Sequence, residues 1–207
     1  MVKFSEEVIV LLNGNFPTHS LPLSYLSSSK TIICADGAGN KAIENSITPD
    51  YIIGDMDSLK QNNISKNVIL LKDEDQNSTD LEKILNWSIK NRIKEITLLG
   101  ISGEMEDHSY INLHIMAHFS DRITIKAVTD HFTILHLKNL NKIKCKKNSR
   151  ISIVKAHDNP IINTKGLFYE IINEHLNLPS QGLSNKSISD SFTINIKEGS
   201  IFLFIEN

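Results

Sequence analysis

Tyr51-Ile52-Ile53-Gly54-Asp55-Met56-Asp57-Ser58 runs from three apolar residues straight into two carboxylates spaced Asp-x-Asp. A short aliphatic run reads as a buried strand. Asp55 and Asp57 then fall at its carboxyl end, where open α/β sheets place their ligands. In a continued strand the two acids share a face, whereas a turn converges them from different directions. Carboxylate oxygens are hard ligands suited to Mg²⁺, whose sites combine one or two carboxylates with waters and substrate phosphates. The stretch points to a metal and a phosphorylated substrate; taken alone, it also reads as a polar turn.

On either side, Val8 to Leu12, Thr31 to Ala35, Val68 to Leu71, Glu95 to Leu99 and Ile123 to Val128 are further β-branched or aliphatic runs, most ending in Gly, Asp or Asn. Between them, Leu81, Ile84, Leu85 and Ile89 repeat with helical period behind an N-cap at Ser78 or Thr79. Asp107 to His118 predicts a second helix, with Ile111 and Ile115 facing inward. These alternations predict an N-terminal, mostly parallel sheet with flanking helices over residues 1–128. From 129 to 207 the pattern changes to strand-length pieces alone: His131 to Leu137, Arg150 to Val154, Gly166 to Ile171, Ser191 to Ile196 and Ser200 to Ile205. They predict a smaller, antiparallel all-β unit.

Composition narrows the function classes. The chain has 207 residues, and its 22 basic and 24 acidic side chains nearly cancel at −2, so no global charge draws it to nucleic acid or an anionic membrane. Cys34 and Cys145 show no paired spacing, which argues against a disulfide framework and for a reduced, cytoplasmic setting. The opening Met-Val-Lys-Phe-Ser-Glu-Glu is too short and acidic for a signal peptide, and no run approaches the roughly 18 apolar residues of a membrane span.

Three other stretches carry chemistry. Asp36, in Ala35-Asp36-Gly37-Ala38-Gly39, follows a strand where a dinucleotide fold places its ribose ligand, yet the first turn, Asn13-Gly14-Asn15, lacks Gly-x-Gly-x-x-Gly, and no P-loop occurs. Asp75-Gln76-Asn77-Ser78-Thr79-Asp80 is either acid ligation or a helix start whose Asp80 complements the dipole. Gly100 and Gly103 lie at a strand-to-helix turn, allowing close approach of a phosphate or base, or simply a tight turn. His114 and His118 lack a His-Glu-x-x-His context, and the lysines from Lys138 to Lys147 lack interleaved aromatics, so packing and a solvated hairpin are expected there.

In this order, Ala35-Asp36-Gly37-Ala38, Gly54-Asp55-Met56-Asp57-Ser58, Asp75-Gln76-x-x-Thr79-Asp80 with Lys83, and Gly100-x-x-Gly103 leading to Asp107-His108 and Asn112 resemble the thiamine pyrophosphokinase family. The likeness resumes at Ser184-Asn185. It implies an α/β nucleotide-binding domain followed by a β-sandwich, working as a homodimer with thiamine between subunits. It further implies ATP and thiamine as substrates and Mg²⁺ as cofactor, with transfer of a diphosphoryl group to the thiamine hydroxyl and release of AMP. Asp55, Asp57 and Asp80 would be metal ligands and catalytic groups; Asp36, Gln76, Thr79, Lys83, Gly100, Gly103 and Asp107 would hold the nucleotide; Ser184 and Asn185 would meet thiamine. Relatives sharing the acidic motifs suggest a hydroxymethyl pterin as the alternative acceptor. Two departures, Glu104-Met105 in place of the family's Gly-Arg and Asn77 in place of an acid, raise the further alternative of an inactive nucleotide-binding protein.

Overall fold

Val8–Leu11 (β1), Ile32–Ala35 (β2) and Tyr51–Gly54 (β3) are buried at every position, as strands covered on both faces must be. The computed structural model describes residues 7–29, 31–60 and 64–207, so the reading of the first six residues lies outside it. The chain is mixed α/β and divides into two compact units, Met1–Asp130 and His131–Asn207.

In the first unit, β1, β2 and β3 join Ile69–Lys72 (β4), Glu95–Leu99 (β5) and Thr124–Val128 (β6) in the order β6-β5-β1-β2-β3-β4, and every pairing is parallel. Strand order reverses between β1 and β5, the switch point at which such sheets open a ligand crevice beyond their carboxyl ends. Helices Ser20–Ser28 (α1), Asp36–Glu44 (α2), Asp80–Lys90 (α3) and Glu106–Phe119 (α4) connect the strands. α3 starts on a capping box: the Thr79 side chain accepts from the Glu82 N–H, and Glu82 accepts from the Thr79 N–H. Its Leu81, Ile84 and Leu85 are buried, as their spacing predicts. In α4, Ile115, Met116 and Phe119 turn inward, whereas Ile111, expected inside, is 42% exposed.

The second unit is antiparallel. Phe132–Lys144 (β7), Arg150–His157 (β8), Ile161–Lys165 (β9) and Ile172–His175 (β10) precede the two-residue Asn185–Lys186 (β11) and Ser191–Glu206 (β12). β12 is the hub, pairing with β7, β8 and β9. The two pieces expected at Ser191 to Ile196 and Ser200 to Ile205 are thus one strand, broken in register where Glu198 and Gly199 adopt positive φ. Gly166 to Ile171, expected as a strand, is instead the turn between β9 and β10, because the Glu170 carboxylate collects the Gly166 and Leu167 N–H groups. Lys138 to Lys144 lies within β7, and only the residues just beyond it turn. Alternate positions of these strands, among them Ile151, Ile153, Ile162, Phe192, Ile194 and Leu203, form this unit's core. Among the described residues, no helix is long and apolar enough to cross a membrane.

Candidate functional site

The site is built at the carboxyl ends of the parallel strands. β2 ends at Ala35, and the next residue, Asp36, is the first of α2 and only 2% exposed. β3 ends at Gly54 and leads into Asp55. Met56 then takes a left-handed conformation (φ 70°), so the chain folds back instead of extending. The Asp57 N–H donates to Asp55 Oδ1 (3.2 Å), the Ser58 N–H to Asp36 Oδ2 (2.9 Å), and the Ser58 hydroxyl to Asp57 Oδ1 (2.9 Å). The turn thereby brings Asp36, Asp55 and Asp57 together, each with a carboxylate oxygen within 4.8 Å of the others.

Charge makes this arrangement unfavourable without a cation. Burial pushes the Asp36 carboxyl above its usual range, and the charges of Asp80, Asp55 and Asp57 add to that against the Ser58 hydrogen bond. Asp80 is raised as well, chiefly by burial and then by Asp55, with Lys83 opposing. Asp55 is held low by the Gln76 amide (3.1 Å) and the Asp57 N–H, so it stays ionised. Asp36 Oδ1 is buried with no hydrogen-bond partner among the described residues. A buried, unsatisfied oxygen beside two further carboxylates fits a hard divalent cation.

The first unit holds a cleft of about 370 Å³ lined by Asn13, Gly14, Asp55, Gln76, Thr79, Asp80, Lys83, Gly103, Glu104, His108 and Asn112, among others. Asp80 opens α3 and lies outside the group of three, 3.7 Å from Lys83 Nζ. Lys83 is itself buried, and its ammonium also donates to the Asp73 carbonyl (3.0 Å). Thr79 lines the cleft while serving as the α3 cap. Gly100 (φ +63°) carries the turn after β5, and its carbonyl accepts the Gly14 N–H (3.0 Å), stitching the loops after β1 and β5 at the switch point. Gly103 (φ +92°) lines the cleft, whereas Asp107, in the first turn of α4, caps the His108 N–H (2.8 Å).

Residues 23–128 match the family model described as thiamin pyrophosphokinase, catalytic domain, which is half of this chain. The chain belongs to that family. The curated relatives it matches include thiamine pyrophosphokinase 2 of Arabidopsis thaliana, 27% identical over 139 residues, and thiamine pyrophosphokinase 1 of the same plant, 29% identical over 140 residues. Each match covers 55% of this chain and 51% of the relative, so the chain spans about half the length of those proteins. Among solved structures, thiamine pyrophosphokinase from Bacillus subtilis superposes with a TM-score of 0.83 at 18% identity, over 97% of this chain and 99% of that one. The Candida albicans enzyme gives 0.81 at 20% identity, over 97% and 89%. At those identities the likeness establishes the fold.

Against the thiamin pyrophosphokinase pattern, the loop at Gly103-Glu104-Met105 carries an acid, and a lysine that its sequence context does not single out meets it. Lys41, one turn into α2 beyond Asp36, places its Nζ 2.6 Å from Glu104 Oε1, 3.0 Å from the Asn13 carbonyl and 2.8 Å from that of Gly14. In the second unit Ser184 is exposed and accepts from the Arg150 guanidinium (2.8 Å). Asn185 is buried, its amide clamping the backbone of Tyr169 on both sides (2.7 and 3.1 Å), and the Tyr169 ring is left 66% exposed.

The buried acid should make thermal stability respond to metal. In wild type, Mg²⁺ is expected to raise the melting temperature, by an amount equivalent to about 2.7 kcal/mol at 100 times Kd. Asp36→Asn keeps an oxygen for the Ser58 N–H but removes the charge. It should melt no lower than metal-free wild type and lose the Mg²⁺ response. A carboxyl raised on folding stabilises below its unfolded value of 3.8 and loses that contribution as pH rises through its folded value. The metal response should therefore grow with pH over that range. A Mg²⁺ shift surviving in Asp36→Asn would exclude Asp36 as a ligand.

Proposed function

We propose that this chain transfers a diphosphoryl group from ATP to the hydroxyethyl oxygen of thiamine, giving thiamine diphosphate and AMP. The observation that carries the reading is the convergence of Asp36, Asp55 and Asp57 beyond the carboxyl ends of β2 and β3 of a parallel sheet, with Asp55 lining the same cleft as Lys83. Family membership names the reaction class. We read the first unit as an open-sheet nucleotide- and metal-binding domain and the second as a smaller β-sandwich serving the acceptor, in a cytoplasmic homodimer.

A Mg²⁺ held by Asp36, Asp55 and Asp57 would neutralise the polyphosphate and the charge that develops as it transfers. The protein's own task is positioning, since phosphoryl transfer asks little covalent chemistry of it. Gln76 fixes Asp55, and Lys83 holds Asp80 at the cleft wall. The thiamine oxygen bonds to the β-phosphorus, and the bond from that phosphorus to the oxygen bridging the α-phosphate breaks, leaving AMP. We assign acceptance of the hydroxyl proton to Asp80, the acid outside the group of three, which lines the cleft. The α4 loop and the Asn13-Gly14 backbone wall the nucleoside side of the cleft. Thiamine's aminopyrimidine meets the second unit. Asn185 acts there by holding the Tyr169 backbone, so that the exposed ring offers a stacking face, and Ser184, the residue before Asn185 in sequence, offers its hydroxyl. The positive thiazolium suits an acid-lined site.

An acceptor panel tests the reading. With Mg-ATP present, thiamine should yield AMP and a pyrophosphorylated product, and a hydroxymethyl pterin should yield neither. Turnover of the pterin in preference to thiamine would move the chain to the related reaction, and inorganic phosphate released without any acceptor would make it a hydrolase.

A further inference from the structure

We propose that Glu104 is a specificity-determining residue of the cleft, its carboxylate held by Lys41 so that the free oxygen accepts hydrogen bonds from the vicinal diol of a ribonucleotide. The inference rests on the nucleotide reading of the cleft and adds which part of the nucleotide lies at this end and why a ribose is required.

Four observations carry it. Glu104 lines the cleft, its Oε1 is taken by Lys41, and its Oε2 has no hydrogen bond among the described residues. The ammonium donates three hydrogen bonds, to Glu104 and to the Asn13 and Gly14 carbonyls, which exhausts its donors and leaves it no capacity for a phosphate. Glu104 is also held in the left-handed region (φ 62°), an unfavourable conformation for a residue with a long side chain, of the kind that persists at ligand sites. Finally, the ion pair is not needed to join the loops it bridges. They are already tied by the Gly14 N–H to the Gly100 carbonyl (3.0 Å) and the Asn15 N–H to the Ser102 carbonyl (2.8 Å), and a pair with Glu104 half exposed adds little stability.

Position selects the diol over the phosphates. The Glu104 loop follows β5, whereas the three acids follow β2 and β3, two and three strands away in the order β5-β1-β2-β3. At about 4.8 Å per strand the separation is roughly 10–14 Å. Polyphosphate gathered at the acids leaves the nucleoside to extend toward Glu104, where exposed Met105 adds an apolar surface. A carboxylate there repels a phosphate but accepts from two neighbouring hydroxyls, the pairing an acidic residue makes with ribose in dinucleotide folds. Lys41 acts through Glu104 as a positioning residue.

Calorimetry on the full chain without metal tests this with AMP, 2′-deoxy-AMP, 3′-deoxy-AMP, inosine monophosphate and inorganic tripolyphosphate. Wild type should bind AMP and inosine monophosphate alike, and each deoxy compound about ten- to a hundred-fold more weakly, the weight of a charge-assisted hydrogen bond. Glu104→Ala should bring AMP down to the deoxy compounds without weakening tripolyphosphate. Lys41→Met should follow it, and Lys41→Arg should retain most of the discrimination. Equal binding of AMP and both deoxy compounds by wild type overturns the proposal, as does discrimination that survives Glu104→Ala or a loss confined to inosine monophosphate. Those results leave the nucleotide reading standing. Absence of binding by every compound, with and without Mg²⁺, overturns both.

Discussion

Asp55→Asn and Asp57→Asn are each expected to lower turnover about 100-fold or more, with the metal-free fold nearly unchanged. Removing even an outer partner of a metal ligand typically costs 10–100-fold in affinity or activity, so losing a carboxylate that would meet the ion directly should cost at least that much. The fold is spared for a structural reason. Asp57 is exposed, and an asparagine there keeps an oxygen for the Ser58 hydroxyl. An asparagine at 55 keeps one for the Asp57 N–H and gives up only the exposed bond from the Gln76 amide. Each substitution also removes one of the charges crowding Asp36. Steady-state rates at limiting and saturating Mg²⁺, beside melting curves of the metal-free variants, separate the two effects. Near-normal turnover at limiting Mg²⁺ would remove the residue from the metal set, and a fall in melting temperature matching the lost activity would make its role structural.

Gly100→Ala is expected to destabilise the first unit by about 2–4 kcal/mol, which for a chain of this size lowers the melting temperature by roughly 5–15 °C. Gly100 is left-handed, and a methyl group there would press against the Leu12 carbonyl oxygen, a backbone atom that cannot move without disturbing β1. The Gly100 carbonyl also receives the Gly14 N–H, so the strain falls on the contact that closes the switch point. Loss of nucleotide binding should accompany the loss of stability. An unchanged melting temperature would mean that the loops after β1 and β5 do not depend on this turn.

The inner strands β1, β2, β3 and β5 are legible because burial on both faces demands unbroken aliphatic runs, and α3 because Thr79, Glu82 and the Leu81-Ile84-Leu85 spacing all point the same way. α2 is not. Gly37 and Gly39 within Asp36-Gly37-Ala38-Gly39-Asn40 are poor helix formers, and the helix stands because Ala38 and Ala42 pack into the core. Two parts of the site are hidden with it. As a loop residue Asp36 reads as a nucleotide ligand, whereas its place at the buried first turn of α2 brings it to Asp55 and Asp57. Lys41 resembles any solvated lysine until the helix aims it at Glu104. In the second unit, alternation reveals that residues are strand-like but not which partner each strand takes. Ser191–Glu206 does not read as one strand, because its two halves are separated by Lys197-Glu198-Gly199, which has the composition of a turn. The Gly166 to Ile171 turn is set by two side chains, Glu170 and Asn185, whose reach leaves no periodic trace.

Whether the acid group and cleft of the first unit serve diphosphoryl transfer to thiamine is decided by following AMP in four mixtures of the full chain with ATP. These hold both Mg²⁺ and thiamine, Mg²⁺ alone, thiamine alone, or neither. AMP should form only in the first, matched one to one by thiamine diphosphate. AMP formed equally without thiamine, or thiamine diphosphate formed equally after chelation of the metal, would contradict that assignment.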